Sequence, residues 1–316
     1  MQSKFLSKII LTAVFFVTLG GIFSSCKKSS SNNTPTPGTI TDQVSAGANF
    51  TLLKSAVVKA GLATTLSSAG PFTVFAPTDA AFAASGITSD VIASLTADQL
   101  KAILLYHTLG SKVLAASVPA GPNAKVLTAG GDSIFVTNNS SGVFVNGIKV
   151  TQADILASNG VIHTIEKVLL PPVGNIVQVA SSDTTFSFLV AAVVRASTGT
   201  TNVAAVLSSG GIFTVFAPTN NAFRAAGFAT IDAINAADPA TLTTILTYHV
   251  IAGRVFSSDL TEGAQPVTVN GGKVTISLSS GATVKGNSNT TASNIIATNI
   301  MASNGVVHVI DQVLLP

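Results

Sequence analysis

The residues able to do chemistry in this chain are few, and they fall in a pattern. There are four histidines, His107, His163, His249 and His308, and a single cysteine, Cys26. Two of the histidines directly follow a tyrosine, as Tyr106-His107 and Tyr248-His249, and the other two sit in Val/Ile-rich stretches. Paired imidazoles could begin a zinc site, but two ligands fall short of the three or four that such a site takes. Glu166 and Asp311 follow His163 and His308 by three positions. On an extended strand residues so spaced face opposite ways, so the carboxylates complete no cluster. A hydrogen-bonded core imidazole is the expectation for His163 and His308. Thr78 and Thr219, beside Asp79 and Asn220, resemble activated nucleophiles only superficially. Such a site needs a base in reach and an oxyanion pocket, whereas a strand, a turn and a helix cap explain the same residues. No G-x-S-x-G, Walker loop or H-E-x-x-H occurs. The expectation is a chain that is not an enzyme, with no catalytic residue, no metal and no cofactor.

Cys26 poses a different question. A lone cysteine can form no disulfide within the chain, so its position carries the information. Lys4 and Lys8 precede an apolar run from Ile9 to Phe23, and Ser24-Ser25-Cys26 closes that run with small residues. The run is too short to span a bilayer comfortably and reads as a cleaved signal. The arrangement resembles a bacterial lipoprotein signal. That resemblance implies a Cys26 thiol carrying a diacylglyceryl group and, after cleavage, a new N-terminus there. An ordinary signal peptide with a chance cysteine is the alternative. Residues 1–25 are thus read as signal peptide and 26–38 as a flexible tether, since KKSSSNNTPTPG lacks any large apolar residue to order it. Several acyl chains at about 0.8 kcal/mol per buried CH₂ would anchor the chain stably. The expected location is the outer membrane, facing the periplasm or the cell surface.

Only 9% of the residues are charged while 47% are hydrophobic, against a usual charged share of about a quarter. Neutral hydroxyls and amides must keep the surface soluble, as is common in exported proteins. The formal charge of +3 includes Lys4 and Lys8, and the remaining basic residues form no stripe. With two tyrosines and no tryptophan there is also little surface on which bases could stack, so nucleic acid is not an expected partner.

The 316 residues suffice for two domains, and the chain repeats itself accordingly. FTVFAPTDAAF at 72–82 returns as FTVFAPTNNAF at 213–223; Tyr106-His107 returns as Tyr248-His249; ASNGVIHTIEKVLLP at 157–171 returns as ASNGVVHVIDQVLLP at 302–316. Units this long are complete domains rather than solenoid repeats. The boundary is placed near Pro171-Pro172-Val173-Gly174, giving domains at 39–172 and 173–316 joined by a short, stiff connection.

Within the first copy Phe50, Leu53 and Val57 have helical spacing, Phe72 to Phe75 reads as a strand, and Asp79 can cap a short helix carrying Ala81 and Phe82. Thr96 to Leu105 reads as a helix with Leu100, Ile103 and Leu104 on one side. Strands are expected at 134–137, 143–145, 148–151 and 161–169, with Asn159-Gly160 and Asn304-Gly305 in tight turns before the last strand of each copy. The order is α+β.

The three repeated motifs, FTVFAPTDAAF, the Tyr-His pair and ASNGVIHTIEKVLLP, resemble the signature segments of the fasciclin (FAS1) domain family. Glu166 stands where Asp311 gives the family's Ile-Asp, and Asp79 where Asn220 gives its Asn. The resemblance implies two tandem fasciclin-like domains, each a β-sheet wedge flanked by short helices, serving adhesion to matrix, polymer or partner cells. It further implies a candidate adhesion role for Tyr106, His107, Tyr248 and His249, because the Tyr-His pair is assigned to receptor contact in animal members. The competing reading has this segment packed against the sheet. The expected partner is a surface protein or polysaccharide, with the membrane engaged through the N-terminal lipid. The alternatives are a glycan- or small-ligand-binding accessory lipoprotein of an outer-membrane uptake system, against which the scarcity of aromatics counts, and a metal-assisted hydrolase built on the histidine pairs.

Overall fold

The structure is a computed structural model that describes residues 37–316, which form one compact unit. The expected signal peptide, Cys26 and most of the tether lie outside the described residues. Local signals set the first elements. Thr39 and Asp42 form a reciprocal capping box that starts α1 (Ile40–Ala46). Next come α2 (Thr51–Lys59), which turns Leu53, Ala56 and Val57 inward, and the short α3 (Ala63–Ser67). Strand β1 (Phe72–Pro77) leads to α4 (Asp79–Ala84), α5 (Ser89–Ser94) and α6 (Ala97–Tyr106), the last opened by a capping box of Thr96 and Gln99. The chain then turns to strands: β2 (Thr108–Leu109), β3 (Gly121–Leu127), β4 (Ser133–Asn139), β5 (Gly142–Val145), β6 (Ile148–Ala157) and β7 (Gly160–Ile165).

These strands form one sheet in the order β2-β1-β7-β6-β5-β4-β3, in which β1 and β7 run parallel and every other pair is antiparallel. The central pair is buried on both faces, so β7 reads GVIHTI with no alternation. Two irregularities in the β6–β7 register, around Gln152, bend β6 and curl the sheet. The curl divides the core. Val74 points with Leu53, Val57, Leu100 and Leu104 into a layer beneath the helices. Its neighbour Phe75 points the other way, into a cluster with Tyr106, Ile134, Val145 and Ile165 inside the sheet. The last strand ends at Ile165, short of the expected Leu169, because the next amides are taken by side chains: Val168 N–H donates to Ser85 Oγ and Leu169 N–H to His107 Nε2, each at 2.9 Å.

The second copy repeats this order with α7 (Ile176–Ser182), α8 (Ser187–Ala196), α9 (Val203–Ser208), β8 (Phe213–Pro218), α10 (Asn220–Ala225), α11 (Ile231–Ala236) and α12 (Pro239–Tyr248). Strands β9 (Val250–Ala252), β10 (Thr275–Ser277), β11 (Thr283–Lys285), β12 (Ser293–Ala302) and β13 (Gly305–Ile310) follow. They form a sheet in the order β10-β11-β12-β13-β8-β9, again with its central pair, β13 and β8, parallel. Both modules are therefore α+β, each a curled sheet with short helices.

The two modules also touch. Phe256 of the second is fully buried with its ring centroid 6.1 Å from that of Phe135 of the first. The Arg254 guanidinium lies 4.0 Å over the Phe135 ring, a cation–π contact. Around them Asn123 Nδ2 donates to Arg254 O at 2.9 Å and to Asp259 at 3.1 Å, Thr137 donates to Asp259 at 3.2 Å, and Asn299 Nδ2 donates to Gly147 O at 3.2 Å. Asp259 thus binds its own module, through Phe256 N–H, and its neighbour at once. An aromatic centre ringed by polar contacts is how stable interfaces are built, and here it fixes the pair more firmly than the Pro171–Gly174 connection alone, although Asn123 Oδ1 and Arg254 Nε are buried there without partners.

Candidate functional site

The repeated motifs converge in the middle of each module. Tyr106 closes α6, and His107 is its C-cap residue. Being next to each other at a helix end, the two side chains leave in different directions. The tyrosine enters the interior of the sheet, where its hydroxyl donates to Ser133 O at 3.2 Å and accepts from Asn146 Nδ2 at 2.9 Å. The imidazole turns beneath the helices, where Nδ1–H donates to Ile103 O at 2.8 Å and Nε2 accepts from Leu169 N–H at 2.9 Å. Tyr106 is 1% and His107 2% exposed. Burial pushes the phenol up to about 12 and the imidazole down to about 4.

The second module repeats the arrangement with different partners for the phenol. Tyr248 OH donates to Lys273 O and accepts from Asn287 N–H, the latter at 3.0 Å. His249 donates to Ile245 O and accepts from Leu314 N–H, both at 2.8 Å; burial again brings its imidazole down to about 4. Tyr248 is fully buried and His249 is 2% exposed. As folded, neither Tyr-His pair presents a surface to a partner. Each instead joins a helix end to the segment that follows the last strand.

His163 and His308 lie on the central strands, stacked near Phe75 and Phe216 with centroids 5.6 and 5.7 Å apart. Their Nε2 atoms lie 2.8 Å from Val113 O and 2.9 Å from Val255 O, and their Nδ1 atoms accept from Asp154 N–H at 3.1 Å and Asn299 N–H at 3.5 Å. The acceptor role of Nδ1 leaves Nε2 as the donor nitrogen in both. Burial lowers the basicity of His308. Both ring nitrogens of all four histidines are thus engaged by backbone groups, and none offers a lone pair to a ligand. Among the described residues no three of His, Cys, Asp and Glu gather as a metal site would require.

The Ala-Pro-Thr segments end in helix caps. Thr78 and Thr219 accept from Ala81 N–H and Ala222 N–H at 3.3 and 3.2 Å. Contrary to the expectation from sequence, Asp79 does not cap its own helix; Thr78 does, because it stands at the N-cap with extended backbone while Asp79 is already helical. The Asp79 carboxylate instead reaches the start of α2, accepting from Thr51 N–H at 3.2 Å, Thr51 Oγ1 at 2.6 Å and Leu52 N–H at 2.9 Å. Asn220 does the same for α8 through Phe188 N–H at 3.0 Å, which is why Asp and Asn exchange between the copies.

The Asn-Gly turns clip three segments together. Asn159 accepts from Ile40 N–H at 2.9 Å and donates to Leu66 O and Ser68 O at 2.8 Å. Asn304 accepts from Ile176 N–H at 2.9 Å and donates to Leu207 O at 2.7 Å. The glycines that follow are dictated by space: a Cβ on Gly160 would lie 2.1 Å from Phe72 O, and one on Gly305 2.0 Å from Phe213 O. Sequence reasoning did not single out Asn146, the buried partner of Tyr106, whose positive φ of 50° marks an Asn-Gly turn between β5 and β6; the Asn146-Gly147 dipeptide was the available signal.

Comparison with known proteins gives the same assignment. The Fasciclin domain family matches at residues 48–171 and 184–316. Protein sll1483 of Synechocystis is 40% identical over 136 residues, covering 42% of this chain and 74% of that protein. Transforming growth factor-beta-induced protein ig-h3 of Sus scrofa is 40% identical over 139 residues, 44% of this chain but 20% of that protein, so the chain spans a small part of the animal relative. A solved FAS1 domain pair from the insect cell adhesion molecule Fasciclin I aligns with a TM-score of 0.40 at 18% identity, over 84% of this chain and 97% of that one. The buried Tyr-His pairs, the Asn-Gly clips and the remote caps are therefore the frame of a tandem repeat, and this chain belongs to the fasciclin domain family.

Proposed function

We propose that the protein is a non-catalytic surface-binding lipoprotein that attaches to matrix, polymer or partner-cell components through its two fasciclin modules. One observation carries this reading: the motif residues that could do chemistry are consumed by the backbone of their own module, the four histidines included. What remains for function is the outer surface, offered twice by a pair held at fixed geometry. Two sites on one rigid body gain avidity when the target presents matching sites at the same spacing. In this reading the Tyr-His pairs serve adhesion indirectly, by holding the shape of each module. Cys26 carries the lipid and the residues to 38 form the tether, which places the modules at the outer membrane, facing the periplasm or the cell surface.

Attachment is tested by binding of the whole protein to intact cells and to purified surface polymers. Saturable retention that falls by at least tenfold when the surface of either module is masked by an appended bulky domain supports the reading. Retention equal to that of an unrelated lipoprotein refutes it. Anchoring is tested separately, by metabolic labelling with an alkyne fatty acid: label on the wild type and none on Cys26→Ser is expected, and label on both removes Cys26 from the account.

A further inference from the structure

Each module has an apolar slot at the same place, between its first three helices and the central strands. In the first module Leu53, Val57, Leu104 and His107 line a cavity of about 80 Å³. In the second Leu189, Val193, Leu246 and His249 line one of about 120 Å³. The buried histidine of the Tyr-His pair, with both nitrogens occupied by backbone groups, lines the slot in both modules. The outer lip is also the same: Val58 is 66% and Val194 61% exposed, aliphatic surface that the fold leaves in water. An apolar cavity of about 150 Å³ stays dry and accepts benzene, so these slots have room for a few carbons each.

The copies differ at one informative position. Lys54 lines the mouth of the first slot, and Val190 stands at the corresponding place in the second. Lys54 is exposed, and the one ion-pair contact among the described residues lies elsewhere, between His163 and Asp154. A short, mostly aliphatic slot with a lone cation at its mouth is complementary to an amphipathic anion. We infer that the first module binds a short aliphatic monocarboxylate, its alkyl end in the slot and against Val58, its carboxylate on Lys54. The second slot, without the cation, takes alkyl groups with no preference for the anion. This site is independent of the adhesive reading and stands or falls on its own experiment.

The test is methyl NMR of the full chain carrying Cys26→Ser, purified without detergent and titrated with hexanoate and with hexanol. Hexanoate should shift the Val57 and Val58 methyls saturably, with a midpoint about tenfold below that of hexanol, the worth of one charge-assisted hydrogen bond. Lys54→Glu, an exposed change that leaves the core intact, should abolish the preference at Val57 and Val58 without altering the responses of Val193 and Val194. Absence of a saturable shift at Val57 and Val58, equal midpoints for the two ligands, or a preference that survives Lys54→Glu would each overturn the assignment.

Discussion

Acid should destabilise this protein above the carboxylate range, through two side chains that are almost wholly buried. His107 and His249 are neutral in the folded modules, with burial holding each near a pKa of about 4. In the unfolded chain each returns to the ordinary value of about 6.5. Between these values the unfolded state binds more protons than the native one, so stability falls as pH drops through that window and is restored as pH rises. Taking the protein from pH 7 to pH 4.5 costs about 2–3 kcal/mol per histidine, or about 5 kcal/mol for the pair. For a body of this size that corresponds to a fall in Tm of about 10–15 °C. His308, whose basicity burial also lowers, adds to the effect in the same direction. The paired or capped carboxylates act elsewhere: Asp79 and Asp311, held below their usual range, lose their contribution only at still lower pH. The assay is calorimetry at constant ionic strength across pH 4.5–7, on the wild type and on a His107→Gln, His249→Gln variant. The variant starts less stable at pH 7 but should lose much less on acidification. A wild-type Tm that is flat over this interval, or an equal loss in the variant, would refute the reasoning.

Other changes have equally definite outcomes. Gly160→Ala or Gly305→Ala forces a methyl into a strand carbonyl and should cost about 3 kcal/mol or more by chemical denaturation. Asp79→Ala removes the remote cap of α2 and should cost about 1–2 kcal/mol, whereas Asp79→Asn should be close to neutral because Asn220 already does that work in the other module. Arg254→Ala removes the cation from Phe135 and should weaken the contact between modules by about 1–2 kcal/mol; calorimetry should then separate one joint transition into two, with small-angle scattering showing a wider range of module orientations.

The repeat, the family and most strands of the first module could be read from the residues, because duplicated runs and alternating apolar positions are local signals. The helix at Ala97–Tyr106 was legible for the same reason, from Leu100, Ile103 and Leu104 on one side, while the capping box of Thr96 and Gln99 that starts it came from the structure. Strand β3 was not, since GPNAKVL is a half-exposed edge with no apolar period. The partner of Asp79 was also invisible. A carboxylate beside Ala81 and Phe82 suits a local cap equally well, and only the tertiary placement of α2 sends it to Thr51. Tyr106 illustrates the limit best. A tyrosine at the end of an amphipathic helix can face water or the core, and its burial depends on Asn146 and Ser133, which no local pattern ties to it.

The Asn159 clip has a mechanical consequence. In the proposed lipoprotein, a pull on the chain before Pro37 would pass to the first described residues, and these are fastened at once: Gly38 O accepts from Ser158 N–H at 3.0 Å, and Ile40 N–H donates to Asn159 at 2.9 Å. Tension therefore enters at the tip of the β6–β7 hairpin, beside the central strands, rather than at a free helix end. In that reading, load from an attached surface would reach the fully buried central strands of the module first.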